Sequence, residues 1–168
     1  MLADDASPQA SGKQCVGFAA PPRVVIDTNA WLDLFVFHDQ AARPLALALQ
    51  GEALVAIRSS QTDAELLAVL ARPRFAGLAG ASTSALMQRW QALAQFVPMH
   101  GSAPWLCRDP SDQKFLDLAY STGTHTLFTK DRALLYLARA ARRAGLRIIS
   151  PADFAPAPDS CPVQNPDR

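Results

Sequence analysis

Short apolar runs alternate with longer segments of helical pattern along most of this chain of 168 residues. Apolar and β-branched residues dominate four such runs, at residues 23–26, 53–57, 125–129 and 146–150, and residues of this kind favour β-strands. Each run is separated from the next by at least one segment with helical periodicity. This alternation predicts a doubly wound α/β domain whose central parallel sheet has four or five strands.

The helical segments carry recognisable end signals. Ser60 with Asp63, and Thr62 with Glu65, are two candidate capping pairs at the start of the segment SSQTDAELLAVLARP. Asp109 is the expected N-cap of a later helix, with a proline directly after it. We predict helices that begin near residue 29 and span residues 44–50, 60–72, 83–97, 110–122 and 132–144.

The two ends of the chain differ in composition from the segment between them. Residues 1–22 are small and polar, and residues 156–168 are rich in proline, which predicts a disordered leader and a disordered tail around one domain at 23–155. The leader lacks the basic start and apolar middle of a signal peptide. No apolar stretch is long enough to cross a bilayer. A cytoplasmic location without membrane attachment is therefore expected.

The overall charge excludes a strong global attraction to nucleic acid, because the formal net charge is only +1. Contacts with phosphates would have to come from a local patch. Lys130, Arg142 and Arg143 are the candidates for RNA binding, although the two arginines also suit a solvated helix face. The three cysteines are odd in number and far apart, so they favour isolated thiols over disulfides or a zinc knuckle.

Acidic residues lie within two positions of the ends of two of the apolar runs. Asp27 ends the first run, and Asp131 follows the run at 125–129. Asp112 and Glu65 lie in the first turns of predicted helices. The carboxyl ends of parallel strands and the starts of the following helices meet at one edge of a sheet, where ligands bind. Four converging carboxylates would repel each other unless a cation neutralised them.

These carboxylates predict a site for a hard divalent ion, Mg²⁺ or Mn²⁺, since oxygen ligands select such ions. Each residue also has a purely structural interpretation. Asp27 and Asp131 are suitable helix caps, Asp112 suits the helix dipole, and Glu65 suits a capping box. Their joint occurrence favours the metal site.

Four segments, VVIDTNAWLDLF, SSQTDAELLAVLARPRF, DPSDQKFLDLA and TLFTKDRALL, resemble in order and spacing the PIN-domain ribonucleases, and within them the toxin components of toxin–antitoxin systems. The resemblance extends over most of residues 23–155. It implies a PIN-like three-layer α/β/α fold. It also places the family's four catalytic and metal-binding acids at Asp27, Glu65, Asp112 and Asp131, with supporting residues at Asn29, Thr129 and Asp109.

The resemblance further implies Mg²⁺- or Mn²⁺-dependent hydrolysis of RNA phosphodiester bonds. RNA would be the substrate, and an antitoxin protein or a second copy of the chain would be partners. Two alternatives stay open. A PIN-like domain could bind RNA or protein without cleaving it. A phosphatase of the haloacid-dehalogenase type would need a second carboxylate two residues after Asp27, where the chain has Asn29.

Overall fold

A computed structural model of the protein describes residues 20–75 and 82–156. Its centre is a five-stranded, all-parallel sheet in the order β3-β2-β1-β4-β5. The strands are β1 Arg23–Ile26, β2 Val55–Arg58, β3 Ala94–Phe96, β4 Thr126–Phe128 and β5 Arg147–Ile149. The predicted parallel α/β sheet is confirmed.

Helices cover both faces of the sheet. They are α1 Thr28–Phe35, α2 Arg43–Gln50, α3 Ser60–Leu70, α4 Thr83–Leu93, α5 Gln113–Ser121, α6 Arg132–Tyr136 and α7 Ala138–Arg142. Helices α1 to α4 contribute to one hydrophobic cluster and α5 to α7 contribute to the other. The arrangement is the three-layer α/β/α architecture that the sequence predicts.

Alternation along the strands divides the core between the two layers. Val24 and Ile26 of β1 pack with Trp31 of α1 in one cluster. Val25 points to the opposite cluster, where it packs with Leu116 of α5. Successive side chains of a strand face opposite sides of a sheet, so one short apolar run supplies both cores. Burial on both faces fixes the register of β1 at the centre of the sheet.

Three predictions about individual elements are wrong. The helix predicted over 83–97 ends at Leu93, and Ala94–Phe96 form strand β3 beside β2. The helix predicted over 132–144 is two short helices separated by Leu137. Neither predicted capping pair caps α3, because the capping box joins Ser59 to Thr62.

The predicted leader and tail stay predictions, since residues 1–19 and 157–168 lie outside the described residues. Within residues 20–75 and 82–156, none of the helices combines the length and the apolar character that spanning a membrane requires.

Candidate active site

The direction in which successive strands are added to the sheet reverses at its centre. After β1 the chain adds β2 and β3 on one side, and it then returns to place β4 on the other side of β1. Ligands of open α/β sheets bind at the carboxyl ends of the strands flanking such a switch point. Ile26 pairs with Phe128 at these ends, so the residues that follow, Asp27 and Thr129, lie next to each other.

Asp27 is fixed at this edge by bonds to both of its carboxylate oxygens. Its Oδ1 accepts a hydrogen bond from the backbone N–H of Ala30 at 2.5 Å, which caps α1. Its Oδ2 accepts a hydrogen bond from the Thr129 hydroxyl. The residue is only 3% exposed, and this burial raises the pKa of Asp27 to about 6 against the lowering effect of its hydrogen bonds.

Asp131 is the third residue after the end of β4, and it caps α6. Its Oδ1 accepts hydrogen bonds from the backbone N–H groups of Ala133 at 2.6 Å and Leu134 at 3.3 Å. Its own N–H donates to the Thr129 hydroxyl at 2.9 Å, so one threonine connects Asp27 to Asp131. The second oxygen of Asp131, Oδ2, accepts no hydrogen bond from the described residues and is available to a ligand.

Asp112 ends a 3-10 turn at Pro110–Asp112 and precedes α5. Its carboxylate has no hydrogen bond or ion pair within the described residues, although the residue is partly buried. Burial, together with the charges of nearby carboxylates in the order Asp131, Asp109, Glu65 and Asp27, raises the pKa of Asp112 to about 6. The predicted acids therefore lie close enough to repel each other at this edge of the sheet.

Glu65 differs from the other acids because it has a cationic partner. The ammonium group of Lys114, at the start of α5, forms a salt bridge with the Glu65 carboxylate of α3. The same ammonium donates to the backbone carbonyl of Ser111, the residue before Asp112. Sequence reasoning missed Lys114, and its only sequence signal is its position two residues after an acid of the predicted site.

The remaining predicted residues are placed as follows. Asn29 is exposed in the first turn of α1, beside Asp27. Asp109 is also exposed, and hydrogen bonds from the hydroxyl and N–H of Ser111 lower its pKa. Lys130 forms ion pairs with Asp33 at 2.8 Å and Asp39 at 3.2 Å, so its charge is engaged by protein carboxylates.

The two arginines predicted to bind RNA do not join this group. Arg142 ends α7 and Arg143 follows it, just before β5 begins. The start of a parallel strand lies at the opposite edge of the sheet from the strand ends that carry Asp27 and Asp131. Both arginines are exposed, but they are separated from the acidic residues by the length of the sheet.

The acidic group suits a divalent cation by donor type and by charge. Its donors are carboxylate oxygens, which Mg²⁺ and Mn²⁺ prefer, and after burial the charges of four neighbouring carboxylates help to raise the pKa of Asp112. In the part of the chain that the structure describes, no three acidic, histidine or cysteine side chains are already arranged as a metal-binding cluster. Binding would therefore have to draw these carboxylates closer together.

The sequence matches the family model of the PIN domain over residues 23–133. The chain belongs to the PIN-domain family. The matched region contains β1 to β4 and all four acids of the site, so the PIN domain and the candidate site coincide.

A search of curated proteins found no match. Among solved structures, the PIN domain is similar to a chain in the crystal structure of VapBC2 from Rickettsia felis bound to a DNA fragment from their promoter. The TM-score is 0.51 at 13% identity, and the match covers 75% of this chain and 96% of that chain. At this identity the likeness concerns the fold alone.

Proposed function

We propose that the protein is a metal-dependent endoribonuclease that acts as the toxin of a toxin–antitoxin pair. The observation that carries the nuclease proposal is the position of Asp112, a partly buried carboxylate without a hydrogen-bond or ion-pair partner among the described residues, whose pKa is raised by burial and by four neighbouring acids. Membership of the PIN-domain family supports it, because PIN domains are generally nucleases.

Asp27, Asp112 and Asp131 would hold Mg²⁺ or Mn²⁺, with Glu65 at the margin of the site. A divalent cation there would offset the charge of a phosphodiester and make a water molecule easier to deprotonate. Asp27 contributes a carboxylate whose orientation is fixed by Thr129 and by the start of α1. Such fixed orientation lowers the entropic cost of reaching a reactive geometry.

Asp131 and Asp112 have complementary roles in this proposal. Asp131 is held through Oδ1 and offers Oδ2 to the ligand. The raised pKa of Asp112 favours its protonated form up to about pH 6, and a bound cation would favour the charged form instead. Asn29 projects from the first turn of α1 at the same edge, where its amide would donate a hydrogen bond to a phosphate oxygen.

RNA cleavage in Mn²⁺ and in EDTA tests the nuclease proposal. We expect the wild-type protein to cleave single-stranded RNA in Mn²⁺ but not in EDTA. Asp112→Asn keeps the shape of the side chain and removes its charge, so it should lose activity by orders of magnitude. A wild-type protein that binds Mn²⁺ and RNA without cleavage would instead support the silent binding module.

The toxin assignment rests on the fold likeness to a chain of the VapBC2 complex, together with the sequence resemblance to toxin components. A PIN toxin would be held inactive by a partner protein, the antitoxin. Induced expression in a bacterial host should stop growth and produce new cellular RNA ends. Asp112→Asn, expressed at the same level, should do neither. Growth arrest that persists in this variant would show that cleavage at the site is not its cause.

A further inference from the structure

Lys114 is a cation built into the acidic site. Its ammonium bonds to the Glu65 carboxylate and to the Ser111 carbonyl. The Lys114 and Glu65 side chains are only 19% and 20% exposed, so water screens their attraction less than it would at the surface. The contact joins α3 to α5 on the side of the site where Glu65 lies.

This ion pair divides the four acids of the site into two sets. Glu65 is neutralised by the protein itself. Asp27, Asp112 and Asp131 have no cationic side chain as partner within the described residues, and Asp27 and Asp131 accept hydrogen bonds from backbone N–H groups and the Thr129 hydroxyl only. An added cation is therefore attracted most strongly to the three aspartates.

We infer that Lys114 is a positioning residue that takes the place of a second metal ion, so that the site binds one divalent ion at Asp27, Asp112 and Asp131. This inference rests on the proposed function. The ammonium group of Lys114 pairs with the Glu65 carboxylate in the way that a second metal ion would. It also places a positive charge beside any ion that approaches Glu65. A second divalent ion would have to displace the ammonium or bind against its repulsion.

Titration of the metal-free protein with Mn²⁺ tests the inference, with bound ions counted by calorimetry and by the electron paramagnetic resonance signal of free Mn²⁺. We expect the wild-type protein to bind one ion. Lys114→Met removes the charge and keeps most of the side-chain length, so it should bind a second ion at least about tenfold more tightly than the wild type does. Lys114→Arg keeps the charge and should resemble the wild type.

Lys130→Met is the matched control. Lys130 also pairs with two carboxylates, Asp33 and Asp39, but these are not among the acids of the site. Loss of its charge should leave the number of bound ions unchanged. A second ion in this variant too would indicate a general effect of net charge and contradict a specific role of Lys114.

Glu65→Gln tests the same inference with Lys114 intact, which matters if Lys114→Met does not fold. Because Lys114 already occupies Glu65, this variant should bind its single Mn²⁺ about as tightly as the wild type. In the Lys114→Met background it should abolish the second ion. Tenfold weaker binding of the first ion by Glu65→Gln would overturn the inference, since Glu65 would then be a ligand of that ion.

The outcomes separate the inference from the proposed function. Metal-dependent cleavage by the wild type, combined with identical titrations of wild type and Lys114→Met, would leave the nuclease proposal intact. Lys114 would then only clamp α3 to α5. A wild-type protein that binds no Mn²⁺ and cleaves no RNA would overturn both.

Discussion

The Asp112 carboxylate is partly buried and has no hydrogen-bond or ion-pair partner in the part of the chain that the structure describes. This combination gives Asp112 a measurable effect on stability. Its carboxylate is repelled by Asp131, Asp109, Glu65 and Asp27. Asp112→Asn removes that repulsion, so the metal-free variant should melt at or above the temperature of the wild type. It should also lose most of the stabilisation that Mn²⁺ gives the wild type through preferential binding to the folded state.

Asp109→Asn is the control for this prediction, because its carboxylate is in the opposite electrostatic situation. Hydrogen bonds from Ser111 lower the pKa of Asp109, so its charge is stabilised in the folded protein. Its removal should leave the metal-free melting temperature unchanged or slightly lower. Thermal melting of the wild type, Asp112→Asn and Asp109→Asn in EDTA and in Mn²⁺ makes the comparison. A lower melting temperature for Asp112→Asn in EDTA would mean that the carboxylate has a stabilising partner.

The placement of the acids at one edge of the sheet could be predicted from sequence because it depends on where each strand ends and each helix begins, while their binding of a metal ion stays a prediction. An aspartate that follows the end of a strand in a parallel sheet lies at the edge where ligands bind. Lys114 could not be predicted in the same way. Its role depends on the distance between α3 and α5, elements whose contact residues are 49 positions apart, and this distance is set by packing on the sheet.

At the scale of elements, the first turns of α3 carry Glu65 and fix its position at the site. The Ser59 hydroxyl oxygen caps the helix by accepting a hydrogen bond from the Thr62 N–H at 3.4 Å, and the Ser59 N–H and carbonyl also bond to the Thr62 hydroxyl. Loss of an N-cap side chain costs about 0.5–2 kcal/mol. Ser59→Ala should lower the free energy of unfolding by that amount in urea denaturation. Ser60→Ala is the control, because Ser60 is exposed and lies inside the helix, and it should have little effect. Equal losses in both would contradict the assigned cap.

Strand β3 shows why the sequence pattern failed for one element. Residues 83–97 continue a helical pattern without interruption, but Ala94 to Phe96 pair with β2. Arg58 stabilises this strand from the end of β2, because its Nε donates to the Ala94 carbonyl at 3.0 Å and its guanidinium lies 5.4 Å from the centre of the Phe96 ring. A helix-forming segment is thus turned into a strand by contacts with a distant residue, which local periodicity cannot reveal.

At the scale of the whole molecule, the buried core of the described residues lies well inside the two ends of the chain. The two hydrophobic clusters draw their buried residues from residues 24–148, and the segments 1–19 and 157–168 are polar and proline-rich. Deletion of both segments should leave the urea denaturation midpoint nearly unchanged, because they have little apolar surface to bury. A large decrease would show that they pack against the domain or a second copy.

The dependence of stability on pH provides a final prediction for the whole molecule. Asp27 and Asp112 have pKa values of about 6 in the folded protein against 3.8 for the unfolded chain. The folded state therefore binds more protons than the unfolded state between pH 4 and 6, and stability falls as pH rises through that range. A shift of one unit corresponds to about 1.4 kcal/mol, so Asp27 alone accounts for up to about 3 kcal/mol. Asp112 contributes less to this loss of stability, because it is more exposed to water.

The free energy of unfolding in EDTA should accordingly decrease from pH 4 to pH 7 and then level off. The lowered pKa values of Asp39 and Asp109 affect the free energy of unfolding only at pH values below this range. The stabilisation by Mn²⁺ should instead increase with pH, because Mn²⁺ competes with protons for the same carboxylates. Its stabilising effect should be small at pH 4.5 and largest above pH 6.5, so that the curves with and without Mn²⁺ diverge as pH rises. Urea denaturation at a series of pH values measures both curves. If stability in EDTA rises steadily from pH 4 to 7, or if the gain from Mn²⁺ is the same at every pH, these two carboxylates do not form the cation site of this PIN domain.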